Sequence, residues 1–96
     1  MIRCSDNSIY TGITTDIERR FLEHKTKSSK CAKYTYNHDV VSLECYFTSN
    51  SRSLACKLEY YIKKLTKEEK ELLIKDKNSF PLLLGEKVIV DSYLRN

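Results

Sequence analysis

Short apolar runs separated by turn-forming residues predict three strands. Ile2 to Asp6 and Ser8 to Gly12 are two of them, with Asp6-Asn7 as the turn between them, because both residue types tolerate positive φ. The third strand is predicted from Val40 to Thr48, a segment rich in Val, Leu, Tyr and Phe. The pattern therefore indicates a hairpin joined later in the chain by one more strand.

The first helix is predicted from Asp16 to about Thr26. It begins with a capping box, because the Thr15 hydroxyl can accept a hydrogen bond from the third helical N–H while Glu18 reaches back to the cap. Residues 27–39, which follow, are polar and basic. We expect them to form a loop.

Two more helices are predicted in the second half of the chain. Arg52 to Leu65 has apolar residues at helical spacing and follows the helix-starting segment Ser49-Asn50-Ser51. A second capping box, Thr66-Lys67-Glu68-Glu69, opens a helix that runs to about Lys75. Residues 78–96 form a C-terminal appendage that the pattern does not place. The predicted order β-β-α-β-α-α is that of an α+β fold, a small three-stranded antiparallel sheet flanked by helices.

The composition is that of one globular domain. The chain has 96 residues, of which 41% are hydrophobic and 31% charged, with two Gly and one Pro, which excludes a disordered chain. No apolar run of the given sequence approaches the ~18 residues that a membrane span needs or resembles a secretory h-region. We therefore expect a cytoplasmic protein with no membrane partner. A domain this small buries only about 60–65% of its unfolded surface, which excludes large cofactor folds.

Basic residues are concentrated in one segment. The net charge is +4, and residues 19–33 contain a single acid, Glu23. The six basic residues of this segment are Arg19, Arg20, Lys25, Lys27, Lys30 and Lys33. Such clustering favours a polyanionic partner. A solvated basic face without a partner is the alternative.

The spacing of the four cysteines does not indicate a metal site. Cys4, Cys31, Cys45 and Cys56 include no C-x-x-C pair and have no His at ligand spacing. Zinc sites usually present paired ligands two to about five residues apart. We expect reduced, half-buried thiols in a cytosolic protein.

The first helix brings a guanidinium and an imidazole together at the edge of an apolar stripe that includes Ile17 and Phe21. Arg20 and His24 are four residues apart and face the same way, whereas Arg19 projects to the solvated side. Such a pair can hold a phosphate and move a proton. The alternative is an Arg stem that lies along apolar surface beside a histidine at the core edge.

Glu59 lies at the edge of the apolar stripe of the second helix, beside Ala55. A carboxylate in that position can bind Mg²⁺, which prefers a few hard oxygen ligands and keeps several waters. The alternative is a surface ion pair with Lys63, four residues further along the helix.

The segment from Ile9 to His24 closely resembles the second half of the signature of the GIY-YIG nucleases. Tyr10-Thr11-Gly12 stands at the YIG position, and Arg20 follows Tyr10 by ten residues. Ala32-Lys33-Tyr34-Thr35 and the segment from Ser51 to Leu65 are similar to the small stand-alone bacterial branch of that superfamily.

The resemblance implies a role for each of five residues. Tyr10 would line the site and contact the water or phosphate, and Gly12 would let backbone and substrate approach closely. Arg20 corresponds to the catalytic arginine and His24 to a histidine found in many members. Glu59 corresponds to the glutamate that holds a single, weakly bound divalent ion, Mg²⁺ or Mn²⁺. The GIY tyrosine, often assigned as the general base, would fall just ahead of Met1.

The implied function is metal-dependent hydrolysis of DNA phosphodiesters by a nuclease domain spanning residues 1–77. The substrate would be DNA, including branched, single-stranded or other non-B forms, as in repair or recombination. The basic loop would follow the phosphates and stack on unpaired bases through Lys25, Lys27, Lys30, Lys33 and Tyr34. The alternative is a non-catalytic nucleic-acid-binding module that keeps the fold, and RNA also stays open as a partner.

Overall fold

The computed structural model of the chain describes residues 1–27 and 38–96. The chain forms two compact units, Met1–Glu44 and Cys45–Asn96. Most of the predicted loop 27–39 lies outside the described residues.

The N-terminal unit is a three-stranded antiparallel sheet with one described helix. Its elements are β1 (Ile2–Cys4), β2 (Ile9–Tyr10), α1 (Ile17–Lys25) and β3 (Val40–Leu43). The strands lie in the order β2-β1-β3, with β1 antiparallel to both neighbours. The α+β fold with a small three-stranded antiparallel sheet is therefore confirmed.

The β1–β2 turn is longer than the predicted Asp6-Asn7 pair. The N–H of Cys4 donates to the Ser8 carbonyl at 2.9 Å, and that of Asn7 donates to the Cys4 carbonyl at 2.9 Å. Asn7 adopts a φ of 69°, and the Asp6 carboxylate accepts from the Ser8 N–H at 3.0 Å. A three-residue loop with its last residue in the left-handed region fits this pattern. β1 is shorter than predicted because the loop takes Ser5 and Asp6, and β2 ends at Tyr10, before the predicted Gly12.

The cap of α1 is Asp16, so the predicted Thr15 capping box is wrong. Asp16 has an extended backbone, with φ −143° and ψ 96°, and its carboxylate accepts from the Arg19 N–H at 3.1 Å. Thr14 steadies this residue, since its hydroxyl accepts from the Asp16 N–H at 3.0 Å. An anionic cap also interacts favourably with the helix dipole, which explains why the Asp is used in place of its neighbour.

The register of the sheet places a row of side chains under α1. Ile2 of β1 lies opposite Tyr10 of β2 and Leu43 of β3. Directly opposed residues point to the same face of a sheet. This face carries the Tyr10 ring toward the helix that holds Arg20 and His24.

The predicted strand Val40 to Thr48 is two strands in two different sheets. After β3 the chain leaves the first sheet at Glu44, whose carboxylate accepts from Arg3 Nε at 3.2 Å and from the Ser42 hydroxyl at 2.8 Å. The residues beyond pair elsewhere, because their partner strand lies near residue 94. The local sequence pattern contains no information about that partner.

The C-terminal unit contains a two-stranded antiparallel sheet and three α-helices. Its elements are β4 (Phe47–Ser49), α2 (Arg52–Lys63), α3 (Lys67–Lys75), α4 (Ser79–Leu84), a short 3-10 helix (Val90–Ser92) and β5 (Tyr93–Arg95). β4 pairs with β5. The capping box of α3 is confirmed, since the side chains and backbones of Thr66 and Glu69 bond reciprocally. No helix among the described residues is long and apolar enough to cross a membrane.

Residues 79–96 contribute to the core of this unit. Phe80, Leu84 and Val88 are all buried. The rings of Phe47 and Phe80 lie 4.8 Å apart, and the Tyr93 hydroxyl donates to the Leu54 carbonyl at 2.6 Å. The segment therefore packs with α2, while the nuclease-domain boundary at residue 77 stays a prediction.

Candidate functional site

Four of the five predicted catalytic residues line one cleft in the N-terminal unit. They are Tyr10, Gly12, Arg20 and His24. The rest of the wall is mainly apolar and consists of Met1, Ile2, Ile13, Thr14, Ile17, Phe21 and Leu43. The cavity volume is about 30 Å³, which is room for one or two water molecules.

Gly12 makes room for the ring of Tyr10. A Cβ placed on Gly12 would lie 2.9 Å from Tyr10 Cε2 and 3.1 Å from its hydroxyl oxygen. The backbone of Gly12 does not require positive φ, so the reason for glycine here is space. A Cβ at this position would require the end of the tyrosine ring to shift.

His24 is the most deeply buried of the four. It is 1% exposed, and its ring centroid lies 5.2 Å from that of Tyr10, with the rings tilted by 54°. Burial lowers the pKa of His24 below its usual value, and the positive charge of Arg20 lowers it further, against a smaller opposing effect of Glu23. The imidazole is therefore neutral at pH 7 and can accept a proton.

Arg20 forms an ion pair with Glu23, a carboxylate that the sequence pattern did not single out. Its Nη1 lies 3.3 Å from Glu23 Oε1, and the side chains are 29% and 17% exposed. The i, i+3 spacing of Arg20 and Glu23 was the available signal. The neighbouring Arg19 side chain is exposed.

Glu59 lies on α2, in the C-terminal unit. Its side chain is 24% exposed, and Lys63 Nζ lies 3.7 Å from Oε2. The ion pair that was the alternative for Glu59 is thus present. A single accessible carboxylate is still compatible with Mg²⁺, which takes one or two carboxylates and completes its shell with waters and phosphate oxygens. No cluster of three potential metal-binding side chains occurs among the described residues.

The predicted nucleic-acid-binding residues are only partly described. Lys25 Nζ lies 5.8 Å from the centre of the Phe21 ring. Lys27 Nζ lies 2.8 Å from Asp39 Oδ1, and this contact lowers the pKa of Asp39. Lys30, Lys33 and Tyr34 lie outside the described residues.

Two of the three described cysteines are inside the protein. Cys4 and Cys45 are 2% and 3% exposed, whereas Cys56 is exposed on α2. Burial raises the pKa of the Cys4 thiol. No disulfide occurs among the described residues.

Comparison with known proteins identifies the family to which the chain belongs. Residues 1–72 match the GIY-YIG catalytic domain, a span that includes both α1 and α2. The UPF0213 protein FN1575 of Fusobacterium nucleatum is 50% identical over 83% of this chain and 78% of its own length. The UPF0213 protein Ent638_3592 of Enterobacter sp. (strain 638) is 48% identical over 86% of this chain and 79% of its own length. The UPF0213 protein YhbQ of Salmonella typhimurium is 43% identical over 88% of this chain and 83% of its own length. No solved structure gives a significant match. With three quarters of its length matched and such relatives, the chain belongs to the GIY-YIG family.

Proposed function

We propose that this protein is a metal-dependent DNA endonuclease that hydrolyses phosphodiesters in branched or other non-B DNA. The family supplies a nuclease fold and hence a nucleic acid as substrate. The observation that carries the finer proposal is the convergence of Tyr10, Arg20 and a buried neutral His24 on one water-sized cleft.

Each cleft residue has a step that its chemistry suits. His24, neutral at pH 7, accepts the proton of the attacking water. Arg20 donates hydrogen bonds to the phosphate oxygens, whose negative charge increases in the transition state. Tyr10, whose ring occupies the space that Gly12 leaves open, orients the water through its hydroxyl group.

Glu59 is the residue that would hold the divalent ion. When bound, Mg²⁺ or Mn²⁺ would supply charge neutralisation at the leaving oxygen. Lys63, 51% exposed, is free to turn toward solvent when a stronger cation approaches the carboxylate. The nuclease domain proposed in this way spans residues 1–77.

The test compares two adjacent arginines. Purified protein is incubated with labelled linear, single-stranded and branched DNA, with Mg²⁺, Mn²⁺ or a chelator. Arg20→Ala should reduce cleavage by about 10²-fold or more, the usual effect of removing one transition-state donor. Arg19→Ala, which removes an exposed charge on the same helix, should reduce it little.

Glu59→Gln tests the metal assignment. It removes the charge with little change in shape, so the fold and DNA binding should persist while metal-dependent cleavage is lost. Equal cleavage by wild type and Glu59→Gln across a metal titration would mean that Glu59 does not hold the metal and only forms the ion pair with Lys63. Wild-type protein that binds DNA and cuts none of the substrates would instead be a binding module.

A further inference from the structure

The solvent face of α2 carries positive charge and no carboxylate. At about 100° per residue, its exposed positions fall on one arc opposite the buried Leu58 and Ile62. This surface, the α2 outer face, consists of Arg52, Ser53, Cys56, Lys57, Tyr60, Lys63 and the capping residue Lys64. Four of these seven side chains are cationic. Glu59 lies just beyond the edge of the arc.

Three of these four cations have no ion pair within the described part of the fold. Arg52, Lys57 and Lys64 have no ion pair there, and Lys63 contacts Glu59 at the long distance of 3.7 Å. The next helix differs, since Lys67 pairs with Glu71 at 3.1 Å and its first turn contains two acids. The first turn of α2 has no acid and begins with Arg52, a charge that opposes the helix dipole. The α2 outer face therefore carries an excess of positive charge.

Tyr60 lies in the middle of this face as a fixed aromatic ring. It is 54% exposed. Lys64 Nζ lies 4.4 Å from the ring centroid, and the Tyr61 ring meets it edge-on at 5.1 Å. A ring already held by two neighbours loses little rotational freedom when a ligand stacks on it. An exposed aromatic ring between lysines is the arrangement that binds unpaired bases with their phosphates.

We propose that the α2 outer face binds a single-stranded segment of nucleic acid, with Tyr60 stacked on an unpaired base and Lys57 and Lys64 on phosphates. The inference rests on the proposed function only in taking nucleic acid as the partner. It uses no residue of the cleft. Because Glu59 borders the face, a strand bound there would run next to the carboxylate assigned to the metal.

Binding is measured by fluorescence anisotropy in the presence of chelator, so that no cleavage occurs. The probes are a labelled single strand of about 12 nucleotides, within the usual range of site sizes, and the duplex of the same sequence. Tyr60→Ala should weaken single-strand binding at least about fivefold, the low end of one base–aromatic stack, and change duplex binding less. Tyr60→Phe keeps the ring and should bind as wild type does.

The double variant K57Q/K64Q tests the phosphate contacts. The slope of log K against log salt for the single strand should become shallower by about 0.7 for each lost contact. The matched control K75Q/K77Q removes two exposed lysines at the end of α3 and should leave the slope unchanged. Circular dichroism of each variant shows that the fold is retained.

Each outcome decides the proposal. A wild-type protein that binds neither probe overturns this inference, and cleavage of branched DNA by the same preparation with Mg²⁺ decides the proposed function separately. Wild-type binding that all variants share equally overturns the inference alone. A Tyr60→Ala variant that loses single-strand and duplex affinity to the same extent rejects stacking on an unpaired base.

Discussion

His24 is a deeply buried, titratable side chain that also lines the candidate site. It is 1% exposed, yet it belongs to a residue type that titrates near neutral pH. Burial and Arg20 lower its pKa in the folded protein. The feature that suits it to accept a proton therefore also makes the fold sensitive to acid.

The stability of the protein should fall as the pH drops below about 6.5, the ordinary pKa of histidine. In that range the unfolded chain binds a proton that folded His24 does not, so protonation favours unfolding until the lower folded pKa is passed. Above this window the His24 contribution is fully present. Urea unfolding between about pH 5 and pH 7.5 measures the effect.

His24→Gln is the control for this prediction. It removes the titrating group, so the decline of the free energy of unfolding across that range should flatten, whatever the absolute stability of the variant. An equally steep decline in His24→Gln would show that another group is responsible.

At the scale of single elements, the start of α1 depends on one carboxylate. Asp16→Ala removes the hydrogen bond to the Arg19 N–H and should lower the free energy of unfolding by about 1 kcal/mol. Thr15→Ala, one residue earlier, should change it little because Thr15 is not the cap. Urea unfolding of the two variants side by side is the measurement. A larger effect of Thr15→Ala would restore the capping box that the sequence predicts.

Elements whose signals act over a few residues could be predicted from the sequence. The Thr66–Glu69 box and the Ser51 cap are examples, since each is completed within one helical turn. At α1 two capping residues are adjacent, and the capping-box pattern pointed to Thr15 although Asp is the more favourable cap. The i, i+4 placement of Arg20 and His24 was predictable, because it depends only on helix geometry. The near-complete burial of His24 was not predictable, because it depends on residues elsewhere in the chain.

Strand pairing could not be predicted from the sequence pattern. Val40 to Thr48 has the composition of one strand, and its division depends on β5, far along the chain. The position of residues 79–96 in the fold depends on the same pairing. Neither period nor propensity contains the identity of a distant partner.

For the whole molecule, the C-terminal strand secures the helix that carries Glu59. The Tyr93 hydroxyl donates to the Leu54 carbonyl in the first turn of α2 at 2.6 Å. Tyr93→Phe keeps the ring and removes this bond, which should lower the free energy of unfolding by about 1 kcal/mol. Urea unfolding followed by circular dichroism measures the change.

Leu94→Ala is the comparison for Tyr93→Phe, because Leu94 lies on the same strand and is 65% exposed. Its replacement should have the smaller effect. If Tyr93→Phe is as stable as wild type, the hydroxyl bond contributes nothing to the stability of this unit.

The distance in sequence between β4 and β5 also sets an order of events during folding. The β1–β2 hairpin closes a three-residue loop, and such hairpins form in about 1–10 μs. Tyr93 pairs with Ser49, so roughly forty residues must be brought back before that contact forms, at a larger loss of chain entropy. Ile2 of β1 pairs with Leu43 of β3 over a similar separation, so we expect both long-range closures to form after the hairpin and to limit the folding rate, with that of the second sheet open to test through Tyr93. In a refolding experiment, the Tyr93→Phe variant would then show whether this closure belongs to the transition state or follows it.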